Sequence, residues 1–120
     1  MTGDATDPPV DWVALDARYA TRPAAIGRLI GIAIDMYRGV PATLHGLADA
    51  GDIEGIRLTA HGLAGGAHAI LARPVGTLAS RVEAACRESS SDVCALTREL
   101  AGLVEMLLDE LQRRQRELPG

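Results

Sequence analysis

The sequence predicts an all-α protein, and three observations carry that prediction. Alanine and leucine fill 35 of the 120 positions, phenylalanine is absent and the aromatics are only Trp12, Tyr19 and Tyr37, so strand-forming residue types are scarce. Apolar residues recur at intervals of three and four along most of the chain, which is the period of a helix and not of a strand. The interruptions in that rhythm hold Gly, Pro, Ser or Asp, the residues that stop and start helices. With 48% hydrophobic and 23% charged residues in 12.6 kDa, the chain can build one core and not two.

Residues 1–9 combine Gly, Asp, Thr and a Pro-Pro pair without an apolar period, so a flexible leader or linker remnant is expected there, followed by a helical bundle domain over 10–118. Between Val10 and Ala20, the spacing of Trp12, Val13, Leu15 and Tyr19 predicts a short first helix lying across one end of the bundle. Thr21, Arg22 and Pro23 read as the start of a second helix. Its stripe is Ile26, Ile30, Ala33, Tyr37, Val40, Leu44 and Leu47, and Pro41 should kink it or split it near Gly39. Gly51 ends that helix and Asp52 caps the next.

The third helix carries Ile53, Ile56, Ala60, Leu63, Ala67 and Ile70. Arg73 and Pro74 open a fourth, with Val75, Leu78, Val82 and Cys86 on its seam, and the Ser89, Ser90, Ser91, Asp92 run is expected to form a turn and an N-cap. The fifth helix has the stripe Val93, Leu96, Leu100, Leu103, Leu107 and Leu111, and the polar stretch from Gln112 to Glu117 is expected to fray. Short loops between long helices imply an antiparallel up-down four-helix bundle with a short extra N-terminal helix.

Composition also narrows function. A net charge of −4 and a pI near 5.3 give no basic face for nucleic acid or for an anionic membrane. All twelve basic residues are arginine, which removes Schiff-base and lysine-nucleophile chemistry. The apolar run from Ile26 to Met36 is broken by Gly27, Arg28, Gly31 and Asp35, too short for a membrane span. Cys86 and Cys94 are too few for a disulfide framework, so a reduced, cytoplasmic protein is expected, with Cys86 a buried apolar residue. His45 reads as a surface histidine, and no metal site is expected because His61 and His68 are seven residues apart, not three or four. Arg113, Arg114 and Arg116 read as a solvated last turn that complements the helix dipole.

The informative segment is His61-Gly62-Leu63-Ala64-Gly65-Gly66, inside the third helix. Each glycine there forgoes about 0.8 to 1 kcal/mol relative to alanine, so the missing side chains must serve something else. At 100° per residue, His61 points roughly 120° away from the apolar stripe, sharing its face with Glu54, Arg57, Leu58, Ala64, Gly65 and His68. Gly65, one turn later, leaves the imidazole uncovered. A neutral, exposed imidazole on a smooth surface suits a nitrogen nucleophile that takes a phosphoryl group from a docked protein.

These residues resemble the histidine-containing phosphotransfer (HPt) domain family of two-component phosphorelays. The family motif runs His-x-Leu-Lys-Gly, then small residues, then Gly-Ala, then Leu-x-x-Leu-x-x-x-Leu-Glu on the next helix. His61, Leu63 and Gly65 match its start, Ala72 the small residue after the helix, and Val75, Leu78, Val82 and Glu83 the following helix in register. The Ala50-Gly51-Asp52 turn and Pro41 are similar as well, so the resemblance runs from about Trp12 to Leu111. Two positions depart from it: Ala64 stands where the family has lysine, and Leu71 where it has glycine.

The resemblance implies that His61 accepts a phosphoryl group from a receiver-domain aspartate of a response regulator and passes it to another receiver. Arg57, Leu58, Ala64, Gly65 and His68 would form the phosphate- and partner-facing surface, with Arg57 standing in for the lysine. No ATP site and no cofactor of its own are implied; Mg²⁺ would be held by the receiver. A monomer is expected, either free-standing or as the HPt module of a hybrid sensor histidine kinase in cis. The alternative is a non-phosphorylated helical adaptor that binds a receiver or other signalling protein. A dimerising kinase core ranks last, because such a histidine is followed by an acidic residue and His61 is followed by Gly62.

Overall fold

The computed structural model describes residues 7–119 and contains six helices and no strand among them. They are α1 (Trp12–Arg18), α2 (Ala24–Tyr37), α3 (Val40–Ala50), α4 (Ile53–Ala69), α5 (Arg73–Arg87) and α6 (Val93–Glu117). The expected leader falls largely on residues 1–6, outside the described residues. From Val10 the chain is anchored: Val10 is buried in the core, and the Asp11 N–H donates to the Leu71 carbonyl at 3.0 Å.

Proline decides the division of the long second helix. Pro41 occupies the first turn of α3, where its missing N–H costs nothing, and Arg38 and Gly39 separate α3 from α2. The two pieces hold 14 and 11 residues, together as long as the 25-residue α6, and both pack along it. The other main contacts are α4 with α5, α5 with α6 and α3 with α4, so α3 to α6 close a ring around Leu44, Ile56, Val82, Leu100 and Leu107.

Three helices end in the same way. After α3, α4 and α5, one residue takes a left-handed conformation and two N–H groups turn back onto the last carbonyls. Gly51 (φ 65°) does so with Gly51 N–H to Ala48 and Asp52 N–H to Leu47. Leu71 (φ 59°) pairs with His68, and Ala72 with Ala67. Ser89 (φ 54°) pairs with Cys86, and Ser90 with Ala85. Leu71 therefore occupies a position that favours glycine, which gives a conformational meaning to its departure from the family pattern.

Several expectations need correction. Asp11 and Asp52 cap α1 and α4 through their carboxylates, but Asp92 does not cap α6; its own N–H donates to Ser90 Oγ instead. Ile53 is 40% exposed, because it begins α4 before that helix enters the ring. On α6, Leu96 and Leu103 are only half-buried, while Thr97, Ala101 and Val104 are fully buried, since helices on both sides widen the covered face.

The C-terminal segment does not fray. Arg113 pairs with Glu110 and Glu117, while Arg114 lies 4.5 Å over the Trp12 ring and reaches Asp16 at 2.8 Å. The Trp12 indole N–H donates to Glu110 at 2.6 Å, so Glu110 and Arg114 hold α1 against α6, while Arg113 pairs only within α6 and Arg116 is exposed. Both cysteines are free, Cys86 buried and Cys94 donating to the Ala48 carbonyl. No helix among the described residues is long and apolar enough to cross a membrane.

Candidate functional site

The rotation of α4 is set by its buried side, where Ile56, Ala60, Leu63 and Ala67 are almost wholly covered. That leaves the His61 side chain 73% exposed on the opposite side. It is not free. Its Nδ1 lies 2.9 Å from Oε2 of Glu83, which reaches across from α5 and is itself only 16% exposed.

The juxtaposition depends on how closely α4 and α5 approach. The His68 ring lies against α5 at Gly76, with its nearest atom 3.1 Å from where a Cβ at Gly76 would stand. Gly76, Ala79 and Val82 are buried along the same helix, and this fixes the register that brings Glu83 opposite His61.

The carboxyl of Glu83 is held below its ordinary value, first by the hydrogen bond from His61 and further by Arg87. An ionised carboxylate can only accept, so a neutral His61 in this geometry carries its proton on Nδ1 and keeps a lone pair on Nε2. Arg87, one turn on along α5, contacts the same Oε2 at 3.1 Å. Glu83 thus joins an imidazole to a guanidinium through one oxygen.

Arg57 lies one turn before His61, but its guanidinium is engaged. Nε and Nη2 donate to the two oxygens of Glu54 at 2.9 and 2.7 Å, and this pairing lowers the Glu54 carboxyl and raises Arg57. Leu58 is 56% exposed, and Ala64 is half-buried against the core. Gly65 is exposed, and a Cβ there would meet no atom within 4 Å. His45 is elsewhere, beside Arg98 of α6.

On the other flank of α4 an apolar groove opens against α2, lined by Leu29, Ile32, Met36, Gly66, Ala69 and Ile70. Ile32 and Met36 are more than half exposed, and the Tyr37 hydroxyl would stand 3.0 Å from a Cβ at Gly66, so this glycine serves a close helix contact. Going round α4 at 100° per residue, Gly62, Gly65 and Ala69 lie between the groove and the imidazole. A nearly side-chain-free saddle connects the two.

The Hpt domain family's model matches this chain over residues 28–116, from early in α2 to the last turn of α6. The chain belongs to the Hpt domain family. Hpt domains are phosphocarriers, not catalysts; they act in two-component systems together with receiver domains. The match leaves out α1, which the sequence resemblance had included from Trp12. No curated protein and no solved structure matches the chain.

The structure therefore gathers His61, Glu83 and Arg87, keeps Arg57 paired with Glu54, and turns His68 onto α5. Glu83 was legible in the sequence as a motif match on the fourth expected helix, without a role. Arg87 carried no signal beyond its place in a last helical turn.

Proposed function

We propose that this Hpt domain is a cytoplasmic, monomeric phosphorelay carrier, with His61 as phosphoacceptor between two receiver domains. Its frame is read as an antiparallel up-down bundle in which α2 and α3 together form one of four long elements and α1 is the addition. The observation that carries the reading is the exposed imidazole with Nδ1 engaged by Glu83, which leaves Nε2 as the nitrogen to react.

In the transfer, the Nε2 lone pair attacks the phosphorus of the receiver's aspartyl phosphate in line. An N–P bond forms, the acyl P–O bond breaks, and the aspartate leaves as a carboxylate. The ring becomes a phosphorylated imidazolium whose Nδ1–H still faces Glu83, so the carboxylate opposes the positive charge that develops. The receiver brings Mg²⁺, and this domain supplies neither an ATP site nor a cofactor.

The saddle of Gly62, Gly65 and Ala69, with Leu58, Ala64 and the groove at Ile32 and Met36, gives the receiver a flush apolar seat beside the nucleophile. Arg57 and His68 flank it. Arg57 would add positive charge near the phosphoryl group only to the extent that it leaves Glu54.

The test is incubation with a panel of phosphorylated receiver domains, comparing wild type, His61→Gln and His68→Gln. Label stable in alkali and lost in acid is expected on wild type and His68→Gln and absent from His61→Gln. Normal labelling of His61→Gln would reject the assignment. The second reading, an adaptor, rests on Ala64 and the paired state of Arg57; receiver binding without any label would favour it.

A further inference from the structure

A carboxylate beside a phosphoacceptor poses an electrostatic problem. Glu83 orients the ring, yet the phosphoryl group arriving on the other nitrogen brings between about −1.5 and −2 charges close to that same anion. Some cation must offset Glu83. Position 64 is an alanine, and Arg57 spends two N–H donors on Glu54. Arg87 is the guanidinium in contact with Glu83, on the very oxygen that His61 uses.

We propose that Arg87 is a positioning residue for phosphotransfer, acting on His61 through Glu83: it holds Oε2 in place and offsets its charge while Nε2 carries the phosphoryl group. The inference rests on His61 being the phosphoacceptor. An ordinary i,i+4 Glu–Arg pair would only add slight stability to α5. What sets this pair apart is that both donors share one oxygen of a largely covered carboxylate, so a change at Arg87 reaches the ring.

The probe is phosphoramidate, a small phosphoryl donor that needs no partner protein. The His61 Nε2 lone pair forms the N–P bond, the donor's P–N bond breaks, and ammonia leaves. Labelling rate and phosphohistidine lifetime are measured for wild type, Arg87→Ala, Arg87→Lys and Glu83→Gln, and for Arg87→Ala combined with Glu83→Gln. Arg81→Ala, an exposed arginine of the same helix, is the control, and thermal unfolding of each variant reports on folding.

Arg87→Ala is expected to slow labelling and shorten the lifetime by about threefold to fivefold, the scale of one exposed ion pair. Arg87→Lys should recover most of the loss, Arg81→Ala should show none, and the effect of Arg87→Ala should vanish once Glu83 is Gln. A separate arm uses the ring nitrogen resonances of His61, which should move in Arg87→Ala but not when the same change is made on Glu83→Gln.

Equal rates and lifetimes in Arg87→Ala and wild type, the same loss in Arg81→Ala, or a loss that persists in the Glu83→Gln background would each overturn the proposal. If wild type takes no label on His61, the phosphocarrier reading fails first, and the resonances alone decide whether Arg87 acts on the ring through Glu83.

Discussion

Replacing Gly65 by leucine separates docking from chemistry. Within α4, leucine is a better helix former than glycine by about 0.6 to 0.8 kcal/mol, and a Cβ at this position meets no atom within 4 Å, so the gain is not offset by strain. Gly65→Leu should therefore fold normally and unfold at a slightly higher urea concentration. A long side chain on a helix leans back over the preceding turn, which here brings it across the His61 ring and onto the saddle. A displacement of about 1 Å from in-line geometry costs up to about a hundredfold in rate, so transfer from a phosphorylated receiver should fall by on the order of tenfold or more. Phosphoramidate, which needs no docking surface, should lose no more than a few-fold. Stopped-flow or gel-based transfer with both donors on one protein preparation makes the comparison. Unchanged receiver transfer, or an equal loss with both donors, would refute the reasoning that Gly65 keeps the partner's approach clear.

Ser89→Gly should stabilise the protein by about 0.5 to 1 kcal/mol, since an exposed residue at φ 54° gives up its left-handed strain, while Leu71→Gly should gain less because Leu71 is packed against the core; urea unfolding of both decides. Trp12→Ala should cost about 2 kcal/mol, as a half-buried indole is lost together with its contacts to Glu110 and Arg114, and a cost near zero would mean that α1 is not held to α6. The carboxyls of Glu54, Glu83 and Glu110 are lowered by their partners, and that of Asp11 by the Ala14 N–H and Arg73. Groups lowered by folding add stability that is complete above their ordinary values and is lost as pH falls through the lowered ones, so the urea midpoint should drop over the interval from about pH 4.5 down through those lowered values. A midpoint that stays flat over that interval would contradict those pairings.

How much of this was legible in the sequence follows from how local each cause is. The break before Pro41, the stop at Gly51 and the cap at Asp52 each depend on residues within one turn, and each is found where the pattern put it. The ends of α4 and α5 use the same backbone turn as Gly51 but place leucine and serine in it; the serine run announced the turn after α5, whereas Leu71 gave no such signal for α4. Arg114 departs from the solvated-turn reading for the opposite reason, whereas Arg113 pairs only within α6. The partners of Arg114 are Trp12 and Asp16, nearly a hundred residues away, and only folding brings it against them.

The candidate site divides along the same line. The outward phase of His61 and the bareness of Gly65 are properties of a single helix, and periodicity alone gives them. That approach also nominated Arg57, because one helical turn is the only distance a one-dimensional pattern measures. The guanidinium is nonetheless engaged: Arg57 has an anion of its own, Glu54, three residues away on the other side. The groups that meet His61 come from α5, and their alignment depends on inter-helix register, which the small side chains at Gly76 and Ala79 allow. A candidate nucleophile can thus be nominated from one helix, but the nitrogen it would use depends on its neighbour. Exchanging partners between the two arginines should be asymmetric for this reason: loss of Arg57 releases Glu54 into solvent, whereas loss of Arg87 changes the carboxylate that touches the ring.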